Sequence, residues 1–310
     1  YPPAALVRDA QRRGVEVRPP DVNLSAARSV VEPRSSLAPA SAGGGEGGSR
    51  LWPSLRTAVR IGLGSIVGLG LEQAEALVAE RGENGPFRGI GDLARRAPLS
   101  REGLEALVRS GACDAFGRRR DLLWELGLAL RPRSVPGTGS ESRQLPLPLA
   151  PTVETPALPD LTRWERLLDD YRHTGLSLES HPLALLRPHL PPGTLSSAEL
   201  RDACHGSRVA IAGMMVARQR PATARGVVFL LLEDEHGHAN LIVPPAVYER
   251  HRATVRAEPL VLARGRYERV GENRNVVVAA LESLGPLARR IAESDEVWES
   301  LPRPHSFGRR

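Results

Sequence analysis

Apolar and polar positions follow different rhythms along this chain, and each rhythm predicts a different kind of structure. From about Trp52 to Leu130 apolar residues recur at three- and four-residue spacings, interrupted by short glycine breaks, which predicts packed helices. From Arg208 onward the pattern shortens to five β-rich runs: Val209–Val216, Val227–Leu232, Ala239–Val243, Leu260–Tyr267 and Val276–Leu281. Turn signals, Asp234 to Gly237 and Gly271-Glu272-Asn273, separate them. A helix-prone stretch, 245–256, lies between the third and fourth runs. That order predicts a small five-stranded barrel of the OB-fold type. At the start, a helix (Ala4 to Arg13) and a turn at Gly14 precede an extended Val15–Arg18. A further helix spans about Leu161 to His173, followed by a loop through His181-Pro182 to Pro192. Residues 41–50 and 131–160 are Gly-, Pro- and Ser-rich without periodicity, which is the composition of flexible connections. The last 25 residues offer no clear pattern.

Composition narrows the partners. The chain has 310 residues and a net charge of +6, and all 42 basic side chains are arginine. The charge is uneven: +3 over 56–133, −3 over 134–204 and +3 over 205–285. Two basic modules flanking an acidic connection point to an anionic partner. Aromatic residues make up only 4%, so the cores must be aliphatic. No charge-free apolar stretch is long enough to cross a membrane, so no membrane partner is expected. Two distant cysteines, Cys113 and Cys204, suggest neither a disulfide framework nor a zinc site, which favours a cytoplasmic setting. No phosphate-binding loop of the GxxxxGK[ST] kind occurs, which argues against an aminoacyl-tRNA synthetase or similar nucleotide-using enzyme. Glu233 to His238 has no metal-ligand spacing, and no pair of carboxylates suggests a catalytic centre, so neither metal nor catalytic residues are assigned. Tyr1 opens the sequence and its methionines are Met214 and Met215, so it reads as a piece of something longer.

The segment Leu63-Gly64-Ser65-Ile66-Val67-Gly68-Leu69-Gly70-Leu71 has the shape of a helix-hairpin-helix. Gly68 and Gly70 around Leu69 permit a tight turn, and the helix that follows would aim free N–H groups at a phosphate. The alternative is a plain helical turn whose glycines only permit packing. A second helical pair follows, with Ser100 as a candidate N-cap and Arg118, Arg119 and Arg120 either on phosphate or on a solvated helix start. On the barrel, Arg208, Arg218, Arg220 and Arg225 lie in a stretch without acids. Phe229 is either a base-stacking ring or a core residue. Arg264 and Arg266 alternate on one strand face and, with Arg274, extend a basic track or simply a solvated surface.

The runs VRIGLGSIVGLG, GPFRGIGDLARR and LSREGLEALVRSGACDAFGRRRDLL, together with DYRHTGLSLESHPL and RQRPATARGVVFLLLEDE, resemble the bacterial C-family DNA polymerase III alpha subunit. The similarity is closest to its error-prone translesion branch. The resemblance implies the C-terminal part of a DNA-directed DNA polymerase, active in translesion synthesis and damage-induced mutagenesis, without the palm. Mg²⁺ would then be held by residues upstream, and no cofactor by this chain. The implied organisation is the end of the fingers region (1–40), a Gly-rich insertion (41–50) and a helix-hairpin-helix domain (51–130). A linker (131–160), a helix and loop (161–204), the OB-fold (205–285) and a tail (286–310) follow. The fold class expected is thus multidomain α+β. Duplex and single-stranded DNA are the implied partners, with mutasome accessory proteins. A sliding clamp would engage Gln144, Leu145, Leu147 and Leu149, although proline stands where an aromatic is usual in such motifs; the alternative is an ordinary linker. A standalone single-strand or junction binder remains the competing reading.

Overall fold

The computed structural model describes residues 3–33, 57–130, 157–293, 300–302 and 304–307. They form two compact units, divided between Leu161 and Thr162.

In the first unit, α1 (Pro3–Arg12) turns into β1 (Glu16–Arg18). β2 (Val30–Pro33) and β3 (Thr57–Arg60) complete a three-stranded sheet. β3 lies at its centre, parallel to β1 and antiparallel to β2. This corrects the expectation of helix from about Trp52. Four alternating residues are too few to stand out against the helical spacing that follows, and distant partner strands decide their conformation. Arg60 is buried in this sheet, and its Nε donates to Glu32 at 3.0 Å, where Arg18 also binds. Arg60 holds the Glu32 carboxyl below its ordinary value, against the opposing effect of burial.

Helices then take over: α2 (Leu71–Asn84), α3 (Ile90–Arg96), α4 (Arg101–Arg109) and α5 (Arg119–Ala129). Ser100 caps α4, its side chain accepting from Gly103 N at 3.3 Å. Leu63, Leu77, Leu93, Leu107 and Leu126 form the centre of an aliphatic core, as the low aromatic content requires. The loop after β1 is tied down by Arg81, which donates to the carbonyls of Val22 and Ser25 at 2.7 and 3.0 Å. Asn23 and Phe87 exchange two hydrogen bonds across the same contact.

In the second unit, α6 (Arg163–Thr174) starts with a reciprocal cap. Thr162 accepts from the N–H of Glu165, whose carboxylate accepts from the N–H of Thr162. α7 (Pro182–Leu186) and the two-residue β4 (Thr194–Leu195) lead to the barrel. Its strands are β5 (Arg208–Gln219), β6 (Val228–Glu233), β7 (His238–Val243), β8 (Leu260–Val270) and β9 (Asn273–Ser283). The hydrogen-bonded order β5-β6-β7-β9-β8 closes where β8 pairs back onto β5. α8 (Pro245–Arg250) and α9 (Arg252–Ala257) connect β7 to β8. α10 (Gly285–Ala292) follows β9, and β10 (His305–Phe307) pairs in parallel with Ala217–Gln219 of β5. The helical domain and closed five-stranded barrel expected from the sequence pattern are therefore both present.

This unit has two cores. One fills the barrel with Ile211, Leu230, Leu241, Tyr267 and Val276. The other packs Trp164, Leu167, Leu183 and Leu284 against Met214 and Leu262 on the outside of β5 and β8. Where this core lies against them, those strands are covered on both faces, so Ala212 to Met215 read as a continuous apolar run.

Candidate nucleic-acid interface

The hairpin is built from a 3₁₀ turn at Leu63–Ser65 and the start of α2, with Gly70 as the N-cap. Gly68 has φ of +92°, in the left-handed region that favours glycine. Leu69 points inward and is 4% exposed, which plugs the turn into the leucine core. Gly68 and Gly70 are exposed, and so is Val67 beside them at 60%. The tip therefore offers bare backbone and one apolar side chain, ahead of a 14-residue helix whose first turn has free N–H groups. Val67 was not singled out from the sequence. An apolar residue inside a leucine-rich run looks like core until the turn geometry reveals that it faces outward.

The arginine triplet divides into three roles. Arg119 is buried and donates to Asp114 and to the Arg109 carbonyl, which joins the α4 end to α5. Arg118 pairs with Asp121 at 2.7 Å and reaches the Leu158 carbonyl. Arg120 donates to the Pro159 carbonyl at 3.0 Å. These arginines fasten the first unit internally, and Arg118 is the most exposed of them.

On the barrel, β6 alternates Val228 inward and Phe229 outward, leaving the ring 39% exposed. Phe229 stands between Gln219 and Ile242, and the next rung is Ala217, Leu231 and Asn240. Above it lies the loop between β5 and β6, where Arg220 and Arg225 are exposed. Arg220 stacks 4.7 Å from the centre of the Tyr248 ring, an orienting contact that sequence spacing does not reveal. Arg225 has φ of +48° and no ionic partner among the described residues. Arg218 donates to the carbonyls of Val255 and Arg256 and so caps the end of α9. Arg264 and Arg266 share the outer face of β8, where Arg264 meets Glu282 and Arg266 meets Glu268 at 2.6 Å. Exposed pairs of this kind contribute about 0–1 kcal/mol, so a phosphate can compete for the arginines.

The acids at the β6–β7 turn have structural partners. Asp234 accepts from Ser197 N and Oγ at 2.6 Å each, and from the N–H groups of His236 and Gly237 at 2.9 Å. Arg187 bridges Asp234 and Glu235. Among the described residues no group of three His, Cys, Asp or Glu is arranged to hold a metal. Burial alone would raise the Asp234 carboxyl, but the four hydrogen bonds outweigh it and hold it below its ordinary value. A lowered carboxyl stabilises the fold above the unfolded value near ~3.9, and that contribution is lost as pH falls through the folded value. Asp234→Asn should cost about 2–3 kcal/mol at neutral pH. It should also reduce the loss of stability on acidification below about pH 4, as checked by denaturation at a series of pH values.

Gln144, Leu145, Leu147 and Leu149 lie outside the described residues, as do the Gly-rich stretch and nearly all of the expected linker. No helix among the described residues is long and apolar enough to cross a membrane.

The family model for the helix-hairpin-helix motif matches residues 14–123, which contain the glycine turn and α2 to α4. Over 290 residues the chain is 42% identical to an error-prone DNA polymerase of Anaeromyxobacter sp. (93% of this chain, 24% of that protein). Over 295 residues it is 39% identical to one of Mycobacterium tuberculosis (94% of this chain, 24% of that protein). Among solved structures, asparaginyl-tRNA synthetase from Pyrococcus horikoshii matches 34% of this chain and 27% of its own. That match has 20% identity and a TM-score of 0.25, too slight to carry an argument. The chain is thus similar along nearly its whole length to error-prone DNA polymerases, and it spans about a quarter of the length of the curated relatives it matches.

Proposed function

We propose that this chain is the DNA-holding C-terminal part of an error-prone DNA polymerase. In this reading the hairpin grips duplex backbone and the barrel, as an OB-fold, holds single-stranded template. Nucleotide addition, its Mg²⁺ ions and lesion bypass belong to the remainder of the protein. The observation that carries the reading is the exposed backbone of Gly68 and Gly70 at the start of α2, inside the region matched as helix-hairpin-helix. Such a turn binds phosphate without reading sequence, which suits a polymerase that must accept any template. The barrel contributes an outward aromatic ring beside exposed arginines, the combination that binds single strands through stacking and charge.

The test is equilibrium binding of this chain to labelled duplex and to labelled single strand over a range of salt. Both affinities should fall steeply with salt. Phe229→Ala should weaken single-strand binding by about 1–3 kcal/mol and leave duplex binding unchanged. Absence of measurable binding to either DNA at low salt would remove the proposal.

A further inference from the structure

Past the Asn240 rung, away from Phe229, the barrel carries a groove of about 290 Å³. Its walls come from Arg201 before β5, from His238 and Asn240 on β7, and from Asn273 and Arg274 at the start of β9. Asn240 and His238 continue the outward face of β7 that begins with Ile242, the partner of Phe229. A single strand stacked on Phe229 therefore reaches this groove next.

The groove's chemistry is specific. Arg201 and Arg274 are exposed, and neither side chain has an ionic or hydrogen-bond partner among the described residues. Two arginines near Phe229 differ: Arg218 caps a helix and Arg220 lies on Tyr248. Asn240 and Asn273 each bring two donors and an acceptor, the complement of a base edge. Glu272 is the one acid in the lining. It disfavours a bare anion but can accept from the amino group of a base. Two cations, two carboxamides and a carboxylate together suit a group with both a phosphate and a hydrogen-bonding ring. The volume suits one such unit and is well short of a large ligand.

We propose that this groove holds one nucleotide unit of a single strand, its phosphate between Arg201 and Arg274 and its base edge on Asn240 and Asn273. The assignment rests on the barrel's being a single-strand-binding module. It adds a site that the arginine-rich loop and Phe229 do not include.

The test uses the whole chain with a labelled 20-nucleotide thymidine oligonucleotide, a short duplex, and the double variant Arg201→Ala, Arg274→Ala. Both side chains are exposed, so the variant should melt as the parent does. Expected is a loss of about tenfold or more in single-strand affinity, with duplex binding retained. The dependence of log K on log salt should become shallower by about 1.4, the loss of two phosphate contacts at ~0.7 each. Phe229→Ala is measured alongside. If Phe229→Ala weakens binding while the double variant keeps parental affinity and salt dependence, the barrel binds single strands without this groove. Equal losses on single strand and duplex would reduce the arginines to a diffuse attraction and overturn the site. No single-strand binding by the parent chain would remove both readings.

Discussion

Replacing Gly265 with alanine is expected to destabilise the second unit by about 3 kcal/mol or more. Gly265 sits where the β8–β9 ladder shifts register, between the Arg264–Ala280 and Gly265–Val278 pairs. A Cβ there would stand 2.2 Å from the Val277 carbonyl oxygen and 2.9 Å from its carbon. Both atoms are backbone of the neighbouring strand, so no side chain can swing aside. Relief requires β8 and β9 to separate, and these two strands close the barrel through β8's pairing with β5. The melting temperature should fall by about 10 °C for a unit of this size. Thermal denaturation followed by circular dichroism checks this. A shift of under about 1 °C would mean that the strands do not approach so closely.

The second large effect separates the two glycines of the hairpin. Gly68→Ala should lower duplex affinity by about tenfold or more and also reduce stability by about 1 kcal/mol. Space is not the obstacle, since a Cβ would meet Ala106 at an ordinary 3.5 Å. The obstacle is the φ of +92°, which an alanine reaches only with strain. Gly70 has φ of −69°, and its Cβ would find only Gln73 Oε1 at 3.7 Å. Gly70→Ala should therefore leave the melting temperature unchanged. It should weaken duplex binding only through the bulk it adds where a phosphate approaches. Anisotropy titrations with a short duplex, paired with melting curves, distinguish the two. Equal behaviour of the two variants in both measurements would sink the assignment of separate roles.

The barrel was legible because its strands combine apolar runs with turn residues at each end. The structure lengthens four of the five runs, by one to five residues, and shifts the second by one, since ladder partners rather than side-chain pattern decide where a strand stops. The sheet around β3 was not legible, because Thr57–Arg60 becomes a strand only through partners far back in the chain. The glycine turn was readable as a turn, but spacing alone does not say which glycine needs a left-handed backbone. Charge was the least informative guide to individual residues. Arg118, Arg119 and Arg120 look equivalent in sequence, yet one is buried, one meets an aspartate and one meets a carbonyl. An arginine's internal partner is fixed by tertiary packing, which composition does not encode. Phe229 was ambiguous for a different reason: either strand face was open to it until the parity of β6 was set by Val228 and Leu230 inside the barrel.

The second core described for the barrel unit also has a consequence in time. The outer surfaces of β5 and β8 are covered by α6 and α7 from one side of the sequence and by α10 and Leu301 from the other. During synthesis α6 and α7 leave the ribosome before any barrel strand exists, while residues 285–307 follow the last one. Through that interval the half-covered apolar surface of β5 and β8 is open to solvent and to other nascent chains. The unit is finished from its outside, by a segment whose sequence pattern announced nothing.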